Sequence, residues 1–333
     1  MTHHALAEIP VVESERAAAC QVKANLLARL SEDRAGLYRE LWRSGAVIFR
    51  GFSIDSINKF SAIAHALVGS PMRYTGGDAP RQMLGDGIYN SSDLPSTRAI
   101  SPHNEKAYSA VYPDLIMFNC LTAAITGGET SLVDGRRLLR RLSRHTVELY
   151  TNNRVTYIQN LKNEAGPTKT WRQTFETEDR DKVTSILTKL GAEFHWNPNN
   201  DLFVAETVPA VISHPSTQER VFFSPSHRWH VSNAGREAWR TVVASGTEFD
   251  LYHACRFEDG TPLDVDALDE IREAIRRESI TVMLEPGDVI VLDNVLMLHG
   301  RLPYEGNRLL LAAMGRMMAT DRQLGRNPEH RPK

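Results

Sequence analysis

From residue 202 onward the chain is a series of short apolar runs separated by turn residues. This pattern limits its architecture more than any other feature. Residues 202–205, 210–213, 221–223, 280–284, 289–292 and 309–314 read as strands. Glu285-Pro-Gly-Asp288 supplies a turn between two of them. Residues 46–49, 115–118 and 130–133 carry the same signal earlier in the chain. Helical periodicity is scattered among these runs. Leu26, Leu27, Leu30, Leu37 and Leu41 fit a helix over residues 22–44 with a break at Ser31. Asp55 reads as the N-cap of a helix bearing Ile57, Phe60, Ile63, Ala64 and Leu67, stopped by Gly69. Asp134 caps a short helix with Leu138, Leu139 and Leu142, and residues 177–190 and 264–277 are also helical. Many strands without a βαβ rhythm predict a mainly β fold with flanking helices, and a double-sheet jelly roll fits best. No repeat or linker marks a boundary. Residues 1–320 are therefore expected to form a single domain with an N-terminal helical lead-in, and the polar stretch 321–333 a loosely ordered tail.

Composition narrows the function. A net charge of −2 gives no basic face for nucleic acid. No apolar run approaches the length of a bilayer span, and the N-terminus does not read as a signal peptide, so no membrane partner is expected. Cys20, Cys120 and Cys255 stand far apart, which argues against a disulfide framework or a thiolate zinc site and suits a reducing cytoplasm. The long Gly-, Asp-, Ser- and Pro-containing loop over residues 77–101 is of the kind that forms sites.

The sharpest local feature is Ser101-Pro-His-Asn-Glu-Lys106. On an extended segment His103 and Glu105 point to the same side and reach one ion. A catalytic iron site needs a third ligand from elsewhere, leaving positions open for reactants. His299, which closes the apolar stretch from Val289, is the candidate. His-x-Glu triplets are common by chance, so the context has to carry the reading. Asn104 should face away from its neighbours, in a structural role or against substrate. Arg301 and Tyr304 are candidates for a substrate carboxylate, or packing and surface residues. The His227/His230 pair has no carboxylate at fitting spacing and reads as structural or as part of the substrate pocket. His195 and His214 need no special role, His3 and His4 are terminal, and the charges over 272–278 read as a solvated helix face.

The context is a resemblance. Val47-Ile-Phe-Arg-Gly-Phe52, Tyr89-Asn-Ser-Ser-Asp-Leu-Pro95, His103-Asn-Glu105 with Tyr108, Gly127-Gly-Glu-Thr130, Val133-Asp-Gly-Arg136, Trp171-Arg-Gln-Thr-Phe-Glu-Thr177, Leu292-Asp-Asn294, His299-Gly-Arg301, Pro303-Tyr304, Gly306 and Arg308 follow one another in the order of a known family. The chain resembles the taurine dioxygenase-like Fe(II)/2-oxoglutarate-dependent oxygenases, over residues 45–314. It is most similar to the branch of amino-acid-derived natural-product pathways that includes the syringomycin aspartyl hydroxylase. The resemblance implies a double-stranded β-helix. It implies His103, Glu105 and His299 as Fe(II) ligands, Thr130 and Arg308 as holders of 2-oxoglutarate (with Arg316 as the alternative anchor), and O₂ as oxidant. Most of the family has Asp where this chain has Glu105. Related halogenases have a small residue there, so Glu105 argues for oxygenation. Lys106-Ala107 and Ser224-Pro-Ser-His-Arg-Trp-His230 also depart from the pattern, which leaves the substrate pocket its own.

The implied reaction is hydroxylation of an unactivated C–H bond in an amino acid or amino-acid-derived small molecule, free or presented on a carrier protein, with release of succinate and CO₂. Desaturation, epoxidation or cyclisation would use the same iron residues. A non-catalytic jelly roll that binds a small acid, and a metalloenzyme needing no 2-oxoglutarate, are the rivals from other classes.

Overall fold

The computed structural model describes residues 9–13 and 25–319. At its centre the strand Val289–Asp293 runs antiparallel between Ala46–Arg50 and Leu115–Thr122. All five of its residues are buried because both faces are covered. Val289 and Val291 share a core with Val47, Phe49, Met117 and Leu311, under the helices Leu26–Glu32, Arg34–Ser44 and Ile57–Val68. The intervening Ile290 and Leu292, with Ile48, Phe118 and Leu310, point the opposite way and meet Leu132 and Met297 of a second sheet. The two-residue period of a strand thus divides one apolar run between two cores. The complete sheet has seven strands, in the order Val11–Glu13, Ala46–Arg50, Val289–Asp293, Leu115–Thr122, Leu309–Met314, Ile88–Asn90, Met83–Gly85.

The second sheet is ordered Ile280–Val282, Thr130–Asp134, Met297–Arg301, Ile100–His103, antiparallel throughout. The two sheets are the halves of the expected jelly roll. Leu298 and Val133 face outward and pack with Leu138, Leu268, Ile271 and Ile275 of the helices Gly135–Arg141 and Val265–Glu278. Between these helices the chain forms a further sheet, Glu193–Trp196, Leu202–Pro209, Arg154–Leu161 and His253–Phe257. Trp171, Phe175, Val183 and Leu187 cover one side of it. Among the described residues no helix is long and apolar enough to cross a membrane.

Several boundaries differ from expectation for local reasons. The lead-in breaks at Asp33, not Ser31, and Asp33 caps the second helix by accepting from the Gly36 N–H. Ser56, not Asp55, caps the next helix, because its extended backbone (φ −149°, ψ 156°) brings Oγ to the Lys59 N–H. Asp55 instead pairs with Lys59 at 2.8 Å. The helix expected over 177–190 begins at Arg180 under an Asp179 cap. Asp134 caps its helix as expected. The tail over 321–333, residues 22–24 of the lead-in, Cys20, His3 and His4 lie outside the described residues.

The crossing from the first sheet to the second, between Asp293 and Met297, is bonded on every side. Asp293 Oδ1 accepts from the N–H groups of Val295 and Leu296, both at 3.0 Å, and Oδ2 from His214 Nε2 at 2.9 Å. Asn294, fully buried, accepts from the Glu105 N–H at 2.7 Å and donates to the carbonyls of Glu105 (3.0 Å) and Pro113 (2.9 Å). Asn294→Ala should strand these three groups and destabilise the protein by about 2–4 kcal/mol, measured as a lowered midpoint of urea unfolding. Gly300 allows the close approach of Ile100–His103, since a Cβ there would stand 2.3 Å from the Ile100 carbonyl oxygen and 2.6 Å from Ser131 Oγ. Gly300→Ala should push the strands apart and cost about 1–3 kcal/mol, visible in the same unfolding experiment.

Candidate active site

Alternation along Met297–Arg301 sends His299 to the same side as Met297, between the sheets. Register sets it opposite His103 on one neighbouring strand and Leu132 on the other. The two imidazole rings lie 4.8 Å apart, and Phe118 of the first sheet closes against His299 at 5.3 Å. His103 Nδ1–H donates to the Ser101 carbonyl at 2.9 Å, which leaves its Nε2 lone pair free. Both ring nitrogens of His299 are buried without a hydrogen-bond partner among the described residues.

Glu105 reaches the histidines differently from the expected extended segment. The strand ends at His103, and the chain turns through Glu105 and Lys106, whose φ is +56°. Lys106 is buried and ties this turn to the Thr75 carbonyl. Asn294 fixes the Glu105 backbone, so the carboxylate is set by the crossing loop and not by pleat alternation. One donor atom from each of His103, Glu105 and His299 lies within 4.8 Å of the others. Among the described residues no second group of three such side chains converges in this way.

Burial, with Arg228 nearby, pushes the His103 pKa down to about 3. Burial, then His103, holds His299 well below the usual imidazole range. Both rings are therefore neutral at physiological pH, with lone pairs available to a metal. Two imidazoles and a carboxylate suit Fe(II), and the unpartnered nitrogens of His299 are the groups such an ion would satisfy.

The histidines open onto a cavity lined also by Arg81, Ser91, Phe118, Thr130, Arg301, Arg308 and Leu310. Thr130 is buried opposite Arg301, two residues along the sheet from the His299–Leu132 pair. Arg308 donates through Nε to the Gly128 carbonyl at 3.1 Å, and no acid among the described residues lies within ion-pair distance. Burial and then Arg301 lower its pKa, so a neighbouring anion would be favoured. Arg316 pairs with Asp114 at 2.9 Å and lines a different cavity.

Of the candidates for substrate contact, Asn104 turns away, donating to the Asn294 carbonyl at 2.6 Å. Arg301 lines the cavity but uses Nη1 and Nη2 on the carbonyls of Leu94, Pro95 and Arg98, which holds that loop. Tyr304 lies against both cations, 5.0 Å from the Arg301 guanidinium and 5.6 Å from that of Arg308. His195 stacks on Phe203. His227 Nε2 contacts the Pro102 carbonyl at 3.0 Å and so buttresses the strand bearing His103, while His230 bonds Ser232.

Sequence reasoning missed Arg81, whose Nη2 donates to Glu105 Oε2 at 2.6 Å. It also missed the pair between buried Asp78 and half-buried Arg228 at 3.1 Å. Arg81 sits in an aperiodic loop and its partner follows 24 positions later, so no spacing rule points to it.

Residues 10–314 match the model of the taurine catabolism dioxygenase TauD, TfdA family. The dapdiamide synthesis protein DdaC of Enterobacter agglomerans is 28% identical over 275 residues, covering 82% of this chain and 83% of that protein. A clavaminate synthase-like protein of Arabidopsis thaliana is 26% identical over 287 residues, covering 82% of each. A taurine dioxygenase from Burkholderia xenovorans shares the fold, with a TM-score of 0.55 at 16% identity, covering 95% of this chain and 93% of the other. The chain therefore belongs to the TauD/TfdA family, as an Fe(II)/2-oxoglutarate-dependent dioxygenase with a jelly-roll fold.

Proposed function

We propose that this dioxygenase hydroxylates an unactivated C–H bond of an amino acid or amino-acid-derived intermediate of natural-product biosynthesis. In this reading His103, Glu105 and His299 hold the iron, and Thr130 and Arg308 hold 2-oxoglutarate. The observation that carries it is a cavity onto which His103 and His299 open, with the Glu105 carboxylate converging on them, and whose wall holds an arginine with no acid within ion-pair distance among the described residues. When bound, the iron supplies the oxidising chemistry: 2-oxoglutarate and O₂ give succinate and CO₂, with one oxygen atom passing to succinate and the other to substrate.

The chain's own residues bind, orient and exclude water. His103 stays in one tautomer because its Nδ1–H is held by the Ser101 carbonyl. Glu105 is held through its backbone by Asn294 and through its carboxylate by Arg81. Arg308 would neutralise the far carboxylate of 2-oxoglutarate in a site where burial strengthens the attraction. Thr130 would donate its hydroxyl to the same group. Phe118 and Leu310 give the cavity apolar walls that keep water from the reacting carbon. Glu105 occupies the place a halide would need, which supports oxygen transfer.

The substrate class is supported by the likeness to a protein named for dapdiamide synthesis. Free amino acids and carrier-protein aminoacyl thioesters are both to be supplied in the assay, with succinate and hydroxylated product measured together. His299→Ala should lower Fe(II) affinity at least about a hundredfold and abolish succinate formation. Arg308→Ala should raise the KM for 2-oxoglutarate about ten- to a hundredfold and leave Fe(II) affinity unchanged. Succinate production by the parent without iron, or an unchanged KM in Arg308→Ala, would refute the assignment.

A further inference from the structure

Arg81 is a buried cation with unused hydrogen-bonding capacity. Its side chain is 4% exposed and Glu105's is 1% exposed. Nη2 serves Glu105, and the guanidinium lies over the Tyr74 ring at 4.4 Å. Nε and Nη1 are buried and have no hydrogen-bond partner among the described residues. Buried donors of this kind are rare in folded proteins, because leaving them unmet forfeits the hydrogen bonds that water supplied. A structural partner for Glu105 would need only one nitrogen.

Arg81 also borders the cavity shared by His103, His299, Thr130 and Arg308. Its loop is fixed on both sides. Lys169 Nζ donates to the Gly77 and Ala79 carbonyls, the Ala79 N–H donates to Tyr74 Oη, and the Gln82 N–H donates to Asn90 Oδ1. The guanidinium is thus held in place before any ligand arrives. 2-Oxoglutarate brings two carboxylates into this buried space, and Arg308 can neutralise one of them.

We propose that Arg81 binds the carboxylate next to the keto group of the cosubstrate through Nη1, on the same guanidinium edge as the Nη2 that keeps its bond to Glu105. The two ends of 2-oxoglutarate then meet two arginines, Arg81 and Arg308. This inference rests on the reading of the cavity as the iron and 2-oxoglutarate site. It makes Arg81 a fork that couples the metal's carboxylate to the cosubstrate's, which a lysine's point charge cannot reproduce.

The test uses the full chain without O₂. Mn(II) affinity is measured first, then 2-oxoglutarate affinity of the Mn(II)-loaded protein by calorimetry. The visible charge-transfer band of the Fe(II) form is then recorded at saturating 2-oxoglutarate. Arg81→Lys should keep Mn(II) affinity within about threefold of the parent and weaken 2-oxoglutarate about tenfold or more, the loss expected for a charge-assisted hydrogen bond. Its band should move, because the chelating end has lost a contact, whereas Arg308→Ala should weaken 2-oxoglutarate with the band in place. If Arg81→Lys does not fold, Arg81→Gln is read in the same way. Unchanged 2-oxoglutarate affinity, an unmoved band, or loss of Mn(II) binding in the variant would each overturn the proposal, the last leaving Arg81 as a positioning residue for Glu105. A parent protein that takes up neither Mn(II) nor 2-oxoglutarate would instead overturn the assignment of the site itself.

Discussion

The fixed point of this structure is the hydrogen-bonded crossing at Asp293 and Asn294. The chain leaves one sheet and enters the other there, and Asn294 captures the backbone of Glu105, 189 positions away in sequence, from both sides. Two side chains of the site depend on that one turn. It starts the strand that delivers His299, and it holds the segment that delivers Glu105. Asp293 and His214 secure it from behind, so a histidine outside the cavity supports the geometry inside it.

Register does the rest. An antiparallel ladder sets His299 opposite His103, and a one-residue slip would turn His299 out of the core. Gly300 permits the close spacing by having no Cβ beside the Ile100 carbonyl. The histidines are therefore presented by rigid strands, while the carboxylate comes from a turn. That division suits a site in which Glu, longer than Asp, stands at the carboxylate position.

The electrostatics are those of a cavity prepared for anions. Burial keeps both imidazoles neutral, so the protein supplies lone pairs there and not positive charge. The cations are arginines. Arg81 is kept protonated by Glu105 although burial works against its charge, and Arg308 has no acid within ion-pair distance among the described residues. Arg301, also on the cavity wall, is committed to loop carbonyls. Of three arginines lining one cavity, Arg81 and Arg308 are the less committed, while both terminal nitrogens of Arg301 are spent on that loop.

The residue pattern was enough for strands such as Ala46–Arg50, Leu115–Thr122 and Val289–Asp293, whose apolar runs stand out whatever they pack against, but it passed over Arg154–Leu161 and His253–Phe257 and read Ile88–Asn90 as loop. It also identified a cap whose effect is local, Asp134, and the resemblance put forward His103, Glu105, His299, Thr130 and Arg308 as candidates. Helix starts slipped at Asp55 and near Thr177 because several neighbouring polar residues can cap, and backbone torsions choose among them. Tertiary structure alone decided that Glu105 lies on a turn, that Asn104 faces the crossing loop, that Arg301 is tied to carbonyls, and that Arg81 meets Glu105. These facts depend on contacts between segments far apart in the chain, and short-range periodicity holds no record of which distant partner a polar side chain will find.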